Sequence, residues 1–241
     1  MFWEDPAEVV RAAAPMWHFG RPGGSKSCYP SVAVKPGGKK PNGNISDLGR
    51  LGSLKEGCAE QGDWHGPNTP GAYMPTYYSI NFCKGDSSWR ITYYLYFSHD
   101  SGHRYDWEWA SVVWKKDQDG EDNWYRSAIK TSFHKTSKMT DWGAIQNTIN
   151  GWDDRFDQNG KDRDHAKVYV GSFRHAMFLD RYTGLATLGA DELEFRSNDW
   201  FFLPNFDNEL IDGLTLPDFK YGDAASTPRH MHDEDRICMD P

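Results

Sequence analysis

Residues 89–109 read Trp89-Arg90-Ile91-Thr92-Tyr93-Tyr94-Leu95-Tyr96-Phe97-Ser98-His99-Asp100-Ser101-Gly102-His103-Arg104-Tyr105-Asp106-Trp107-Glu108-Trp109, and Ala110-Ser111-Val112-Val113-Trp114 follow. Two runs rich in aromatic and β-branched residues flank the polar Ser101-Gly102 step, the composition of two strands joined by a turn. Gly102 makes that turn sterically easy. Side chains alternate between faces along a strand, so Asp106 and Glu108 share one face while Trp107 and Trp109 share the other. Tyr105 points away from the two acids by the same parity. Working outward, strands are predicted over 76–83, 89–97, 105–115 and 123–134, with polar turns at 84–88 and 117–122. Such a succession predicts a mainly β fold, an antiparallel β-sandwich with a few flanking short helices.

The flanks carry weaker signals. Asp5-Pro6 followed by Ala-Glu-Val-Val-Arg-Ala-Ala-Ala predicts a short helix, capped by Asp5, opened by Pro6 and ended by Pro15. Further strands are expected at 29–35 and 167–179, and short helices at 141–150 and from Asp207 to Leu214. Residues 152–165 read as a charged loop. The stretch from Pro36 to Pro75 is rich in Gly and Pro, and a loop of that length in a compact domain is functional or tied down. The tail from His230 is expected to be flexible until Cys238. At 241 residues the chain is most economically one domain, 1–241, with an N-terminal helical extension over 1–24 and a C-terminal tail over 226–241.

Composition excludes several functions. The formal net charge is −8 and the isoelectric point is near 5.6. This argues against phosphate-neutralising contact with nucleic acid, and equally against polybasic attraction to anionic lipid. No apolar run approaches the ~20 residues that span a bilayer. Met1-Phe2-Trp3-Glu4-Asp5 has neither a basic n-region nor a long apolar h-region, so no signal peptide is read here. Four cysteines, Cys28, Cys58, Cys83 and Cys238, lack Cys-x-x-Cys spacing and permit three disulfide connectivities. Their even number and wide spacing fit structural bridges formed in an oxidising compartment.

Asp100, His103, Asp106 and Glu108 together put an imidazole and three carboxylates into one short stretch. His103 is out of phase with the acids and joins them only from the turn. Three carboxylates held together repel one another, and a divalent cation resolves the repulsion. Oxygen-rich ligation favours Mg²⁺ or Ca²⁺, and the imidazole also suits Mn²⁺ or Zn²⁺. The acid face is expected to border an open cleft. The competing reading is a half-buried strand whose acids simply meet solvent.

Gly102-His103-Arg104-Tyr105-Asp106-Trp107-Glu108 resembles the Gly-His-Arg-His-Asp-Trp-Glu heptapeptide of the necrosis- and ethylene-inducing peptide-like proteins of plant-associated fungi, oomycetes and bacteria. The likeness extends over about residues 25–225. It includes the strand Trp89–Phe97, Cys28-Tyr29-Pro30, Lys167-Val168-Tyr169-Val170, His175-Ala176-Met177-Phe178, Arg196–Trp200 and Asp218–Ala224. Two departures stand out: Tyr105 replaces the second histidine, and the loop before Gly102 is shorter, leaving Asp100 as the upstream aspartate.

The resemblance implies an actinoporin- and fungal-lectin-like sandwich, secreted and monomeric, without enzymatic activity. It implies a metal-dependent cytolysin that docks on glycosylinositol phosphorylceramide head groups of the plant plasma membrane. The metal cleft would receive the terminal sugar, and leakage would kill the cell and evoke immunity. Asp100, His103, Asp106 and Glu108 become the expected ligands, with Arg104, Tyr105, His134 and His175 lining the cleft or supporting the ligands. The resemblance pairs Cys28 with Cys58, leaving Cys83 with Cys238. Two alternatives stay open: a lectin-like member that binds glycolipid without lysis, and a metal-dependent hydrolase, for which no separate base or nucleophile is seen near the motif.

Overall fold

The 88–99 and 104–116 runs form the two longest strands of the protein and lie side by side in antiparallel register. The computed structural model describes residues 2, 4–21, 27–43, 74–99, 104–117, 123–133, 135–150, 160–182, 195–204, 207–222, 224–233 and 236–239 of the chain. In chain order the elements are α1 (Pro6–Ala13), β1 (Met16–Phe19), β2 (Thr76–Cys83), β3 (Ser88–His99), β4 (Arg104–Lys116), β5 (Trp124–Phe133) and β6 (Thr136–Asp141). They continue with β7 (Thr148–Ile149), β8 (His165–Val170), β9 (Met177–Phe178), β10 (Trp200–Phe202), β11 (Leu210–Asp212) and α2 (Pro228–Asp233).

Two sheets result. One runs β11-β2-β3-β4-β5-β6, and the other runs β10-β1-β8-β7 with β9 also on β8. The expected sandwich and its four central strands are present. Both sheets are mixed, because β11 pairs β2 in parallel and β1 pairs β8 in parallel.

The main core lies between the sheets. Ile91, Tyr93, Leu95 and Phe97 of β3 and Ala110, Val112 and Trp114 of β4 meet Trp17, Phe19, Val168, Val170, Trp200 and Phe202 there. α1 closes one side through Val9, Val10 and Ala13, each fully buried. Burial of the two valines is worth roughly 1.5–3 kcal/mol each. Asp5 caps this helix, accepting from Glu8 N at 2.9 Å, and Tyr93 OH donates to Val10 O at 2.7 Å. Residues 1–24 thus supply both a helix and β1, which lies between β8 and β10.

The opposite face of β2–β4 is also covered. Tyr77, Tyr94, Tyr96, Trp107 and Trp109 pack under Tyr221, Met231 and Ile237 of the C-terminal segment. Trp107 alone meets the rings of Tyr77, Tyr94, Tyr96 and Tyr221 at 5.0–6.5 Å. A covalent bridge and polar ties hold this cover. Cys83 is disulfide-bonded to Cys238, Arg90 donates to Ile237 O at 2.7 Å, and Asn81 Nδ2 donates to His232 O at 3.4 Å. The tail expected to be flexible is therefore helical over Pro228–Asp233. Pro228 opens the helix, Thr227 Oγ1 accepts from His230 N at 3.3 Å, and Met231 is buried.

Three other expectations change. Residues 29–35 form no strand: Tyr29 and Val34 are isolated bridge residues, Val34 pairing Pro41, and Lys35-Pro36-Gly37-Gly38 turns the chain back on itself. Over 141–150, a single 3-10 turn at Trp142–Ala144 gives way to extended Ile145 and then β7, where β-branched Thr148 and Ile149 pair with β8. From 207 to 214, the chain forms β11 and then a 3-10 turn at Gly213–Thr215, started by Asp212 accepting from Leu214 N at 2.9 Å. No described helix is long and apolar enough to cross a membrane.

Candidate functional site

Asp106 and Glu108 lie at the start of β4, opposite Phe97 and Leu95 of β3. Phe97 and Leu95 belong to the inter-sheet core, while Trp107 and Trp109 belong to the outer aromatic cluster. The acids therefore share the inner face, as strand parity requires. They do not border an open cleft: Asp106 is 4% and Glu108 is 6% exposed. Both faces of this sheet are covered, so a carboxylate turned away from the tryptophans meets protein groups: His175 for Asp106 and Ser132 for Glu108.

A buried carboxylate needs a partner, and each of these has one. Asp106 Oδ2 accepts from His175 Nδ1 at 2.7 Å across 69 positions of sequence. His175, 2% exposed, is stacked on Phe97 with ring centroids 3.8 Å apart and planes 11° from parallel. Its other nitrogen, Nε2, lies 3.1 Å from Cys28 Sγ. The carboxylate thereby fixes Nδ1 as a donor and aims the ring.

Glu108 Oε2 accepts from the Ser132 hydroxyl, which itself accepts from Trp109 N at 3.0 Å. Ser132 lies just beyond Ala110↔Thr131, the last pair of the β4–β5 ladder, so its side chain takes an N–H that a strand carbonyl would otherwise hold.

Backbone strain gathers at the same place. Tyr105, next to Asp106, and His175, its hydrogen-bond partner, have φ of 60°. A left-handed backbone costs a non-glycine residue of order 1–3 kcal/mol and persists only where surrounding contacts enforce it. For Tyr105 the contacts are visible. A Cβ on Gly43 would stand 2.3 Å from Tyr105 Cε1, and one on Gly222 3.3 Å from Cδ2. The phenol is wedged between these glycines and meets the edge of Tyr221 at 5.8 Å.

The remaining expected residues are placed as follows. Arg104 is exposed and makes no ion pair among the described residues; its backbone pairs with His99. Asp100, His103 and His134 lie outside the described residues. Cys28 is disulfide-bonded, and its expected partner Cys58 also lies outside them. Among the described residues, no three His, Cys, Asp or Glu side chains converge as for a metal ion. What the described part offers is two carboxylates on one face, each tethered by a protein donor. That donor chemistry fits a hard divalent cation, with His175 and Ser132 orienting the carboxylates from behind. The sequence reading missed Ser132 and Phe97, which carry no motif. Only the register of β4 with β5 and β3 brings them to the acids.

No protein-family model matches the chain, and no curated protein matches it significantly. Solved structures do match in fold. NLPPya in complex with mannosamine is 16% identical, covers 96% of this chain and 87% of its own, and superposes with a TM-score of 0.54. The non-toxic HaNLP3 is 19% identical, with 97% and 89% coverage and a TM-score of 0.50. Necrosis and Ethylene inducing Protein 2, from the causal agent of cocoa's witches' broom disease, is 18% identical, with 87% and 74% coverage and a TM-score of 0.50. The chain has the fold of these proteins.

Proposed function

We propose that this chain is a secreted necrosis-inducing-like protein, a metal-dependent cytolysin that recognises glycosylinositol phosphorylceramide on the outer leaflet of plant plasma membranes. The observation that carries the reading is a coincidence. A heptapeptide resembling the motif of that family stands in a chain whose fold matches the family's solved structures at 16–19% identity.

Asp106 and Glu108 hold the cation in this reading, with Asp100 and His103 completing the set and His175 orienting Asp106. Mg²⁺ or Ca²⁺ suits the oxygen donors best, and Mn²⁺ is compatible with the imidazole. A bound ion would neutralise the carboxylates, and any coordination position left toward solvent would go to water or vicinal sugar hydroxyls. The mannosamine seen with NLPPya supports a sugar as the group received. The protein acts as a monomer and binds without turnover. Among the described residues, Ser132 and His175 hydrogen-bond the two acids and so support a role in orienting carboxylates. These are the grounds for preferring binding to hydrolysis.

A lectin-like, non-lytic member is the second reading. It is favoured by the equal likeness to non-toxic HaNLP3 and by Tyr105 standing where the family motif has histidine. Vesicle flotation separates the alternatives from a generic fold relative. Binding to vesicles carrying the plant sphingolipid, competed by free amino sugar and absent from ceramide lacking the glycan, is expected. Equal binding with and without the glycan would remove the sugar-recognition claim.

A further inference from the structure

The acidic balance of the whole chain conceals an opposite local charge. Between Val9 and Ser46 the sequence carries six basic residues and no carboxylate. Three of them, Lys35, Lys39 and Lys40, stand on a built hairpin. Asn42 N donates to Ala33 O at 2.8 Å, Val34 bridges Pro41, and Lys35 N donates to Lys40 O at 3.0 Å. Gly38 N closes the tip on Lys35 O at 3.0 Å. Gly37 and Gly38 have φ of 93° and 70°, which only glycine adopts without strain, and a Cβ at either would meet nothing within 4 Å. Residues 35–40 are all exposed, and none of the three ammonium groups pairs with a carboxylate among the described residues.

The base of this hairpin is rigid where its tip is free. Tyr77 OH accepts from Ala33 N at 2.9 Å, Tyr221 OH donates to Ala33 O at 3.3 Å, and Tyr96 OH donates to Asn42 O. Asn42 Nδ2 ties Val32 O at 2.8 Å. Gly43, the next residue, abuts Tyr105, the neighbour of Asp106. The lysines are thus presented from a fixed mount on the aromatic face beside the candidate site.

We propose that the Ala33–Asn42 hairpin is a docking point for a membrane surface rich in anionic phospholipid. A planar partner suits the shape. The tip stands roughly 10 Å from its Ala33/Asn42 base at the usual rise per strand residue, comparable with the screening length of about 8 Å at physiological salt. A plane met tip-first therefore feels the three cations before the acidic body. A nucleic acid lying along the protein would meet the net charge of −8, and residues 31–43 carry no aromatic side chain on which a base could stack. This attraction is separate from metal and sugar recognition.

The test is co-sedimentation with vesicles of phosphatidylcholine, with and without phosphatidylserine, containing no glycolipid and with chelator present, so that it is independent of the proposed function. Wild type binds the mixed vesicles preferentially, and raising salt abolishes the preference. A lysine near such a surface is worth roughly fivefold in partitioning. Combining Lys35→Ala, Lys39→Ala and Lys40→Ala thus weakens binding on the order of a hundredfold at low salt. Because all three side chains are exposed, and unpaired among the described residues, the melting temperature stays at the wild-type value. Equal binding by the triple variant overturns the proposal, as does wild type ignoring phosphatidylserine. Competition by a short DNA duplex as effective as that by the vesicles would reassign the hairpin to nucleic acid and overturn it too.

Discussion

Replacing Asp106 with alanine should damage the fold as well as the site, whatever the site binds. The sequence suggested a carboxylate facing an open cleft, whose loss the fold would barely notice. The structure buries it at 4% exposure against a 2%-exposed imidazole 2.7 Å away. Removing the acceptor strands His175 Nδ1 in a place without water, which costs roughly 1–3 kcal/mol. Were the imidazole protonated, the loss would reach the roughly 3–5 kcal/mol of a broken buried ion pair. The strained backbone of His175 gains some relaxation once its tether is gone, so we expect about 3 kcal/mol. For a chain of this size that is a fall in melting temperature of roughly 6–12 °C. Asp106→Asn keeps an acceptor of the same shape and should cost about 1 kcal/mol. Thermal unfolding followed by circular dichroism measures both. If Asp106→Ala melts with wild type, the carboxylate and imidazole do not form a buried pair, and the account of how His175 orients Asp106 fails. Asn is accordingly the better variant for binding assays, since it separates loss of a charged ligand from loss of fold.

Three further outcomes follow from the same structure. The Cys83–Cys238 bridge spans 155 positions and fastens the cover over the outer aromatic face; replacing both with serine should cost about 5 kcal/mol in the chain-entropy model. An unchanged melt would mean that Arg90 and the aromatic packing hold the segment alone. His18 is fully buried, without a hydrogen-bond partner at either ring nitrogen among the described residues, and burial first and Lys167 second hold its pKa well below 6.5. The unfolded chain therefore takes up the proton first, so stability falls as pH drops below 6.5, by about 1.4 kcal/mol per unit until the folded-state value is reached. Between neutral and acid pH the urea midpoint of wild type should fall relative to that of His18→Leu, and a constant difference would refute this. Finally, Gly43→Ala should cost roughly 1–3 kcal/mol by overpacking against Tyr105, but little in a Tyr105→Ala background. Additive effects in that double-mutant cycle would show that the wedge is not tight.

The legible parts of this fold are those where local chemistry and tertiary environment agree. β2 to β5 are long and aromatic or β-branched, and they are separated by polar turns, so their positions and the shared face of Asp106 and Glu108 could be read directly. β1 reads Met16-Trp17-His18-Phe19 and is buried on both faces, which erases the alternation that marks a strand. β10 and β11 are three residues each and exist through pairing with β1 and β2. Residues 207–214 carry no breaker that forbids a helix, yet pairing with β2 outweighs their local preference. The burial of the acids was illegible for a related reason. Alternation assigns two faces without saying that both are covered, and His175 and the C-terminal cover are distant in sequence.

Dye release from vesicles carrying plant glycosylinositol phosphorylceramide, measured with chelator and again after Mg²⁺ or Ca²⁺ is restored, tests the central claim most directly. The account predicts leakage that chelation abolishes, restored ion recovers and Asp106→Asn lacks while remaining folded. Leakage that persists undiminished in chelator, or in folded Asp106→Asn, would contradict it.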